Sequence, residues 1–517
     1  MPKLYERVLR EDNIKKAIHT ILKHQGSKTA GPDNITAETV RKTDIAEITI
    51  QIKNRIRGYI KTDSRKVDIP KNNGKIRTLT ICNLYDRMAQ QAVYQIIGPI
   101  LETKMSIHSY GFRKGISTKI PVSKIANIMK DSKWNYTVEI DFTKCFDNIP
   151  LDKALTAVRE MGIKDTRLLK AIKHLLWISK DYNGIGIGQG TVLGPIMANC
   201  YLDKLDRFME QHLDMSNKFS FSRDFAKHKE NYAEWLKSRN RKPKAYYFRY
   251  ADDTIIICHS RAEQLWINEM VKRFVEQELN VSVNEEKSQL NYNQCHFLGY
   301  YIFKNKTRDK IGIRVSKPEE LIQIIKQYKF NGLTETWNFL KWYIGILNYY
   351  DIVNDMTDIL KAIGERLWKR SSRHGAWIKR IGSSKFQYTY MGKIVTIDIY
   401  QLRKDTRTSY KDYLIGSAWV TEREKLSVDT EHYKTKWYHI YKYALWTKQK
   451  GIDPITKKPL QIGNMDIHHI KPKKLEGLDD IDNLILINRE THKMIHSSEN
   501  TTFRNIIKYR KYLDQNR

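Results

Sequence analysis

The chain has 517 residues, a formal net charge of +33 from 91 Lys and Arg against 58 Asp and Glu, and 41% hydrophobic residues. It is long enough for several domains, and no run of about 18 apolar residues offers a membrane span. The basic residues are spread along the whole length instead of gathering on one amphipathic helix, which argues against a membrane-surface protein and for a polyanionic partner, most simply nucleic acid.

The amino end, MPKLYERVLREDNIKKAIHTILKHQG, carries Glu6, Glu11 and Asp12 and has no apolar core. It reads as neither a signal nor a transit peptide, so the protein is expected to stay in the compartment where it is made. KNNGKIR, residues 71 to 77, reads as a glycine-containing hairpin turn bearing Lys71, Lys75 and Arg77. It is either an exposed basic hairpin or a clamp for a polyphosphate. YTVEIDFTKCFDNIP, residues 136 to 150, predicts a strand that ends at Asp141, where a metal ligand is both rigid and exposed, with Phe146 placed to floor a pocket beside it. Taken singly, each reads as readily as a cap or a core aromatic.

Residues 213 to 245 form a charged insertion, a pattern that is more often a solvated face. FRYADDTIIIC, residues 248 to 258, follows it with a hairpin whose tip carries Asp252 and Asp253. Alone, this is an acidic turn. The flanking runs are so apolar, however, that the tip must emerge from a buried sheet, and two like charges held there repel unless cations lie between them. Hard divalent cations want such oxygen ligands, and Asp141 is the third carboxylate the site calls for.

Residues 305 to 375 predict mostly helix, interrupted at GILNYYD, with a Trp and Tyr stripe that reads as core. Residues 376 to 445 interleave basic and aromatic residues and suit nucleic-acid contact through phosphate charge and stacking. The last segment holds His468 and His469, then Asn483, then His492 and His496 four apart on one helical face, a spacing that lets two imidazoles share a metal. The five cysteines, Cys82, Cys145, Cys200, Cys258 and Cys295, are scattered and lack Cys-x-x-Cys spacing, so they read as buried thiols.

LREDNIKKAIHTILKHQGSKTAGPDNIT, IPKNNGKIRTLTICNLYDRMAQQAVYQIIGPILE, HSYGFRKGIST, EIDFTKCFDNI, GQGTVLGPIMANCYLDKLDRFM, RYADDTIII, LNVSVNEEKSQL and HFLGYYI together resemble, in order, the reverse transcriptases, and within them the group II intron-encoded proteins. The resemblance implies an α/β (α+β) right-hand polymerase. Its parts would be fingers with an amino-terminal extension over 1–120, a palm over 121–304, a helical thumb or maturase region over 305–375, and a DNA-binding region over 376–445. It also implies two Mg2+ held by Asp141 and Asp252 with Asp253 beside them, and a backbone carbonyl next to Asp141. Lys71, Lys75, Arg77, Phe142, Phe146, Gln189 and Lys287 would face the incoming dNTP. Phe146 would disfavour a 2′ hydroxyl, and Lys287 would protonate pyrophosphate or be a plain surface lysine.

Residues 446–517 resemble the HNH, or ββα-metal, endonucleases. By that resemblance His469 is the general base, His468, His492 and His496 hold one divalent metal, and Asn483 orients the loop. The family's usual cysteine pairs are replaced, with Asp453 and Thr456 in one pair's place, so no structural zinc is expected and apolar packing by NLILI must brace the fold. A second departure lies around Gln189, where Gly188, Thr191 and Gly194 stand in place of the usual Pro, Gly and Ser. The implied partners are the intron RNA, target DNA and dNTPs, with a homodimer left open, in a bacterial cytoplasm and on the nucleoid. Two other readings stay open: a host-retained defence-type reverse transcriptase copying a non-coding RNA, and a splicing-only RNA-binding maturase.

Overall fold

The computed structural model describes residues 3–70, 76–114, 116–177, 182–215, 242–305, 310–329, 332–371, 378–390, 393–407, 409, 445, 448–449, 452–460, 465–471 and 481–496. Lys71, Lys75 and most of the charged insertion lie outside them.

Helices α1 (Glu11–Lys23) and α2 (Ile45–Arg57) are the two long helices before the first strand. The second starts where the Asp44 carboxylate accepts from the amides of Ala46 and Glu47, and stops at Gly58 with φ +85°. Strands β1 (Ser64–Pro70) and β2 (Ile76–Cys82) pair antiparallel, and α3 (Leu84–Glu102) follows. The centre of the molecule is built from β3 (Tyr136–Ile140), α4 (Leu151–Glu160), α5 (Gly194–His212), β4 (Ala245–Tyr250), β5 (Asp253–Cys258), α6 (Arg261–Glu278) and β6 (Gln289–Tyr292). Its sheet runs in the order β4-β5-β3-β6, antiparallel throughout.

Both faces of that sheet are covered. Val138, Ile140, Tyr247, Ile256 and Cys258 join one core with the preceding helices. Phe248, Ile255 and Ile257 join a second core, which reaches the helix Lys119–Lys130 and the sheet of β7 (Gln294–Phe297), β8 (Tyr300–Lys304) and β9 (Ile311–Val315). Double burial explains why TIIIC is a continuous apolar run and not an alternating one. It also leaves strand ends as the places where charged side chains emerge.

Residues 305–375 depart from the sequence expectation at their start, where strand β9 precedes the helices α7 (Pro318–Gln327), α8 (Leu333–Tyr349) and α9 (Thr357–Ser371). Helix α8 ends at Tyr349, inside GILNYYD, where the interruption was expected. One exposed helical glycine, Gly345, costs about 1 kcal/mol, too little to break a helix that buries Phe339, Leu340, Tyr343 and Leu347 on one side. Further on, β10 (Lys379–Arg380), β11 (Lys385–Tyr390) and β12 (Lys393–Asp398) form a small antiparallel sheet. The carboxyl-terminal unit pairs β13 (Met465–His469) with β14 (Leu484–Asn488) and adds α10 (Arg489–His496).

Among the described residues no helix is long and apolar enough to cross a membrane. All five cysteines are free and buried, and burial pushes the Cys82 and Cys145 thiols up to about 12.

Candidate active sites

The β4–β5 turn places its two acids differently. Asp252 lies in the turn and is half-buried, whereas Asp253 is already the first residue of β5, paired with Tyr250, and solvent reaches it. Ile140 pairs with Thr254, so continuing the register by one residue sets Asp141 opposite Asp253 at the end of the two central strands. Burial, then the charge of Asp141, raises the Asp252 carboxyl, against the pull of Arg77 and Lys287. The protein packed around Asp253, with the charges of Asp252 and Asp141, pushes its carboxyl up to about 7. These carboxylates repel one another as they stand.

One turn holds Asp141 on every side. Asn284 donates its amide to the Asp141 carbonyl at 2.8 Å, and the Asp141 amide donates to Ser288 Oγ at 3.2 Å. The carboxylate accepts from Asn284 Nδ2 at 3.2 Å and from Lys287 Nζ at 2.8 Å. Lys287, expected toward pyrophosphate or on the open surface, is thus a cation seated on a carboxylate of the candidate metal site. Among the described residues no three acidic, His or Cys side chains converge into a ready-made metal cage. The donor chemistry nevertheless fits a hard divalent cation: oxygens alone, mutually repelling, with an ammonium already drawn in.

Arg77 and Gln189 meet beside this cluster. With its amide oxygen toward the guanidinium, Gln189 accepts from Arg77 Nε at 3.0 Å and from Nη2 at 2.6 Å. The Gln189 carbonyl accepts from the Thr80 amide at 2.7 Å, which anchors the loop on β2. Gly190, at φ +110°, lies so close that a Cβ there would stand 2.6 Å from the Thr80 carbonyl. Phe142 is buried and bridges to Val283. Phe146 is buried with its ring edge-on to Phe112, centroids 5.9 Å apart. Sequence reasoning missed Phe112, and its signal was slight: a bulky residue after glycine in YGFRK that is 46% exposed at φ +56°.

The departures around Gln189 form one unit. Gly188 sits at φ +64°, which proline's fixed φ forbids. Thr191 Oγ1 accepts from the Gly194 amide at 3.0 Å and lies 2.9 Å from the Gly188 carbonyl, to which it donates. A Cβ on Gly194 would lie 2.7 Å from that same hydroxyl. Threonine at 191 therefore requires glycine at 194: the two positions share one space. Gly194→Ser alone is expected to lose about 1–3 kcal/mol in urea melts through overpacking, and adding Thr191→Gly to recover most of it.

In the carboxyl-terminal unit, His468 is buried on β13 with its ring 5.2 Å from that of His492, centroid to centroid. Asp466 Oδ2 lies 3.2 Å from His492 Nδ1, a contact that fixes how the ring is turned. Asp466 was not foreseen, although it lies two residues before His468 and so shares its strand face. Strand alternation turns His469 toward the other face, opposite Leu484 in the register. Asn483 grips Lys471 twice, accepting from its amide at 2.8 Å and donating Nδ2 to its carbonyl at 3.0 Å. The His496 side chain lies outside the described residues. The imidazole pair with its carboxylate suits one divalent ion.

Where a cysteine pair was expected to be missing, Asp453 is fully buried. Its carboxylate accepts from the amides of Ile455 and Thr456, from the Asn488 amide at 2.9 Å and from Thr491 Oγ1 at 2.8 Å. The expectation that apolar packing alone braces this unit is thereby corrected: a carboxylate hub ties the 453–456 turn to the end of β14 and the start of α10.

Residues 69–302 match the family described as reverse transcriptase (RNA-dependent DNA polymerase), and residues 457–498 match HNH endonuclease. The chain is 26% identical over 319 residues to a COX1/OXI3 intron 2 protein of Saccharomyces cerevisiae, covering 55% of this chain and 37% of that one. It is 28% identical over 344 residues to the group II intron-encoded protein LtrA of Lactococcus lactis, covering 58% of this chain and 56% of that one. Protein YkfC of Escherichia coli is 26% identical over 333 residues, covering 59% of this chain and 84% of YkfC. The matches thus span well under two thirds of either intron protein. Among solved structures, telomerase from Candida albicans bound to a fragment of telomeric RNA is similar with a TM-score of 0.33 and 12% identity, over 60% of this chain and 64% of that one. Residues 69–302 thus match a reverse transcriptase and residues 457–498 an HNH endonuclease, and the chain is similar to group II intron-encoded proteins.

Proposed function

We propose that the chain is an RNA-directed DNA polymerase that binds its own intron RNA, assists splicing as a maturase, and cleaves target DNA with its HNH domain to prime DNA synthesis. The observation that carries this reading is the meeting of Asp141 with the Asp252–Asp253 turn at one end of the palm sheet, beside the Arg77–Gln189 pair. In this reading the fingers, palm, thumb, DNA-binding and HNH segments follow the boundaries at 120, 304, 375 and 445, and the protein works in a bacterial cytoplasm and on the nucleoid.

Asp141, Asp252 and Asp253 would hold two magnesium ions. Bound there, magnesium lowers the pKa of the primer 3′ hydroxyl and offsets charge on the transferred phosphoryl group. Arg77 supplies a planar cation for the triphosphate, and Gln189 fixes the direction of its fork. Phe146, braced by Phe112, floors the sugar pocket. Lys287, whose Nζ lies 2.8 Å from Asp141 Oδ2, would be the donor that gives the pyrophosphate a proton. In the HNH unit His468, His492 and His496 would hold one divalent ion, which polarises the scissile phosphate. His469 takes a proton from the attacking water, while Asn483 holds the 470–471 loop in place.

Primer extension on an RNA template with magnesium tests the reading, run with deoxynucleotides and ribonucleotides in parallel. DNA product from deoxynucleotides alone is expected. Tight RNA binding with no extension would leave only the splicing role.

A further inference from the structure

Arg249 lies on β4, two residues before the acidic turn, and is fully buried, the largest side chain so placed. A guanidinium has five N–H donors, and here all five are used. Nε donates to Asp206 Oδ1 at 2.7 Å and Nη2 to Asp206 Oδ2 at 2.6 Å, a bidentate pair with α5. The second Nη2 donor reaches Ser109 Oγ at 2.8 Å. Nη1 donates to Asn199 Oδ1 at 3.1 Å and to the carbonyl of Ala251 at 2.9 Å. Tyr247 completes the Asp206 carboxylate with its hydroxyl at 2.8 Å.

The last of the arginine's bonds falls on the turn itself. Ala251 sits at φ +59°, a conformation costing roughly 1–2 kcal/mol for an L-residue, so something must hold it there. The loop before Phe112 closes the other side: a Cβ on Gly111 would stand 2.2 Å from the Ala251 amide, and Asn199 Nδ2 donates to the Gly111 carbonyl at 2.7 Å. Asn199 thus holds Gly111 with one end of its amide and Arg249 with the other. A buried ion pair can often be replaced by apolar residues of similar size with little loss of stability. A network that uses every donor of one arginine to join α5, the 109–111 segment and the acidic turn does something that apolar packing would not.

We propose that Arg249 is a positioning residue: its grip on the Ala251 carbonyl presets the turn so that Asp252 meets the cation beside Asp141. This rests on the polymerase reading for its catalytic consequence, though not for its geometry. Lysine, with three donors on a flexible stem, keeps the charge beside Asp206 and cannot reach all of these acceptors at once.

The test compares the native chain with Arg249→Lys and with the double variant Arg249→Met plus Asp206→Met, which removes the buried pair as a unit. Primer extension and Mn2+ binding by electron paramagnetic resonance are both read, with circular dichroism melts confirming the fold. Both variants should bind primer–template as the native chain does and keep the dNTP KM within about twofold. Their kcat should fall about 10- to 100-fold, the scale of a misplaced catalytic group, and Mn2+ affinity should weaken several-fold. If the double variant does not fold, Arg249→Lys alone decides. A folded variant with native kcat, native Mn2+ affinity and a native magnesium midpoint overturns the proposal. If the native chain extends no primer, the polymerase reading falls, and weakened Mn2+ binding in Arg249→Lys still supports the positioning role, just as unchanged binding overturns it.

Discussion

Asp252→Ala should cut magnesium-dependent primer extension by about a thousandfold, equivalent to some 4 kcal/mol of transition-state stabilisation, and at the same time raise the melting temperature of the metal-free protein. The two effects share one cause. Asp141, Asp252 and Asp253 are brought together by strand register, and burial, with their mutual repulsion added to it, raises the Asp252 and Asp253 carboxyls. Removing Asp252 removes a cation ligand and also that repulsion, so activity and stability move in opposite directions. A variant that merely unfolded would lose both.

The sign with pH follows from the same groups. Asp253 rises from an ordinary 3.8 to about 7, and Glu139 is pushed up to about 7 by burial. The folded state therefore keeps protons that the unfolded chain has released, and stability that is fully present near pH 4 is lost as pH rises through about 7. Melting temperatures of the metal-free protein should fall between pH 6 and 8, and less steeply in Asp252→Ala. Saturating magnesium should flatten the native curve, since bound cations replace the protons.

The carboxylates were legible in the sequence because their context is local: strand-forming runs abut Asp141 and Asp253, and an acid at the end of a buried strand has few other reasons to be there. His468 and His492, whose rings the structure brings together, were legible for a like reason, a paired HH followed by a histidine on a short helix. What could not be read was set by long-range packing. Arg249 precedes the turn by two residues, yet its partners Asp206, Asn199 and Ser109 lie 43, 50 and 140 positions away. Lys287 was left between a pyrophosphate donor and a surface lysine because nothing nearby in sequence says that its turn wraps Asp141. Thr191 and Gly194 read as two separate departures, and only the shared 2.7 Å space makes them one.

Asp453→Ala should unfold the carboxyl-terminal unit while leaving the palm intact. The described residues of that unit offer only two small apolar clusters, one around Met465, Ile467, Leu484 and Leu486 and the other around Ile455, Ile470, Ile485 and Ile487. So small a core has little stability to lose. Against it stands a carboxylate with no exposed surface and four donors, and its removal leaves three amides and a hydroxyl, all buried or partly buried, without that acceptor. Losing such charge-assisted bonds together costs about 3–5 kcal/mol, on the order of everything a unit this size retains. Hydrogen exchange at the β13 and β14 amides should accelerate to nearly the unprotected rate, and metal-dependent nicking of duplex DNA should vanish with it. Primer extension by the same preparation should be unchanged, because the palm core shares none of these bonds. Asp453→Asn, which keeps one carbonyl oxygen but turns an NH2 toward donors, should fall between the two. Native exchange rates in Asp453→Ala would mean that apolar packing holds the unit after all.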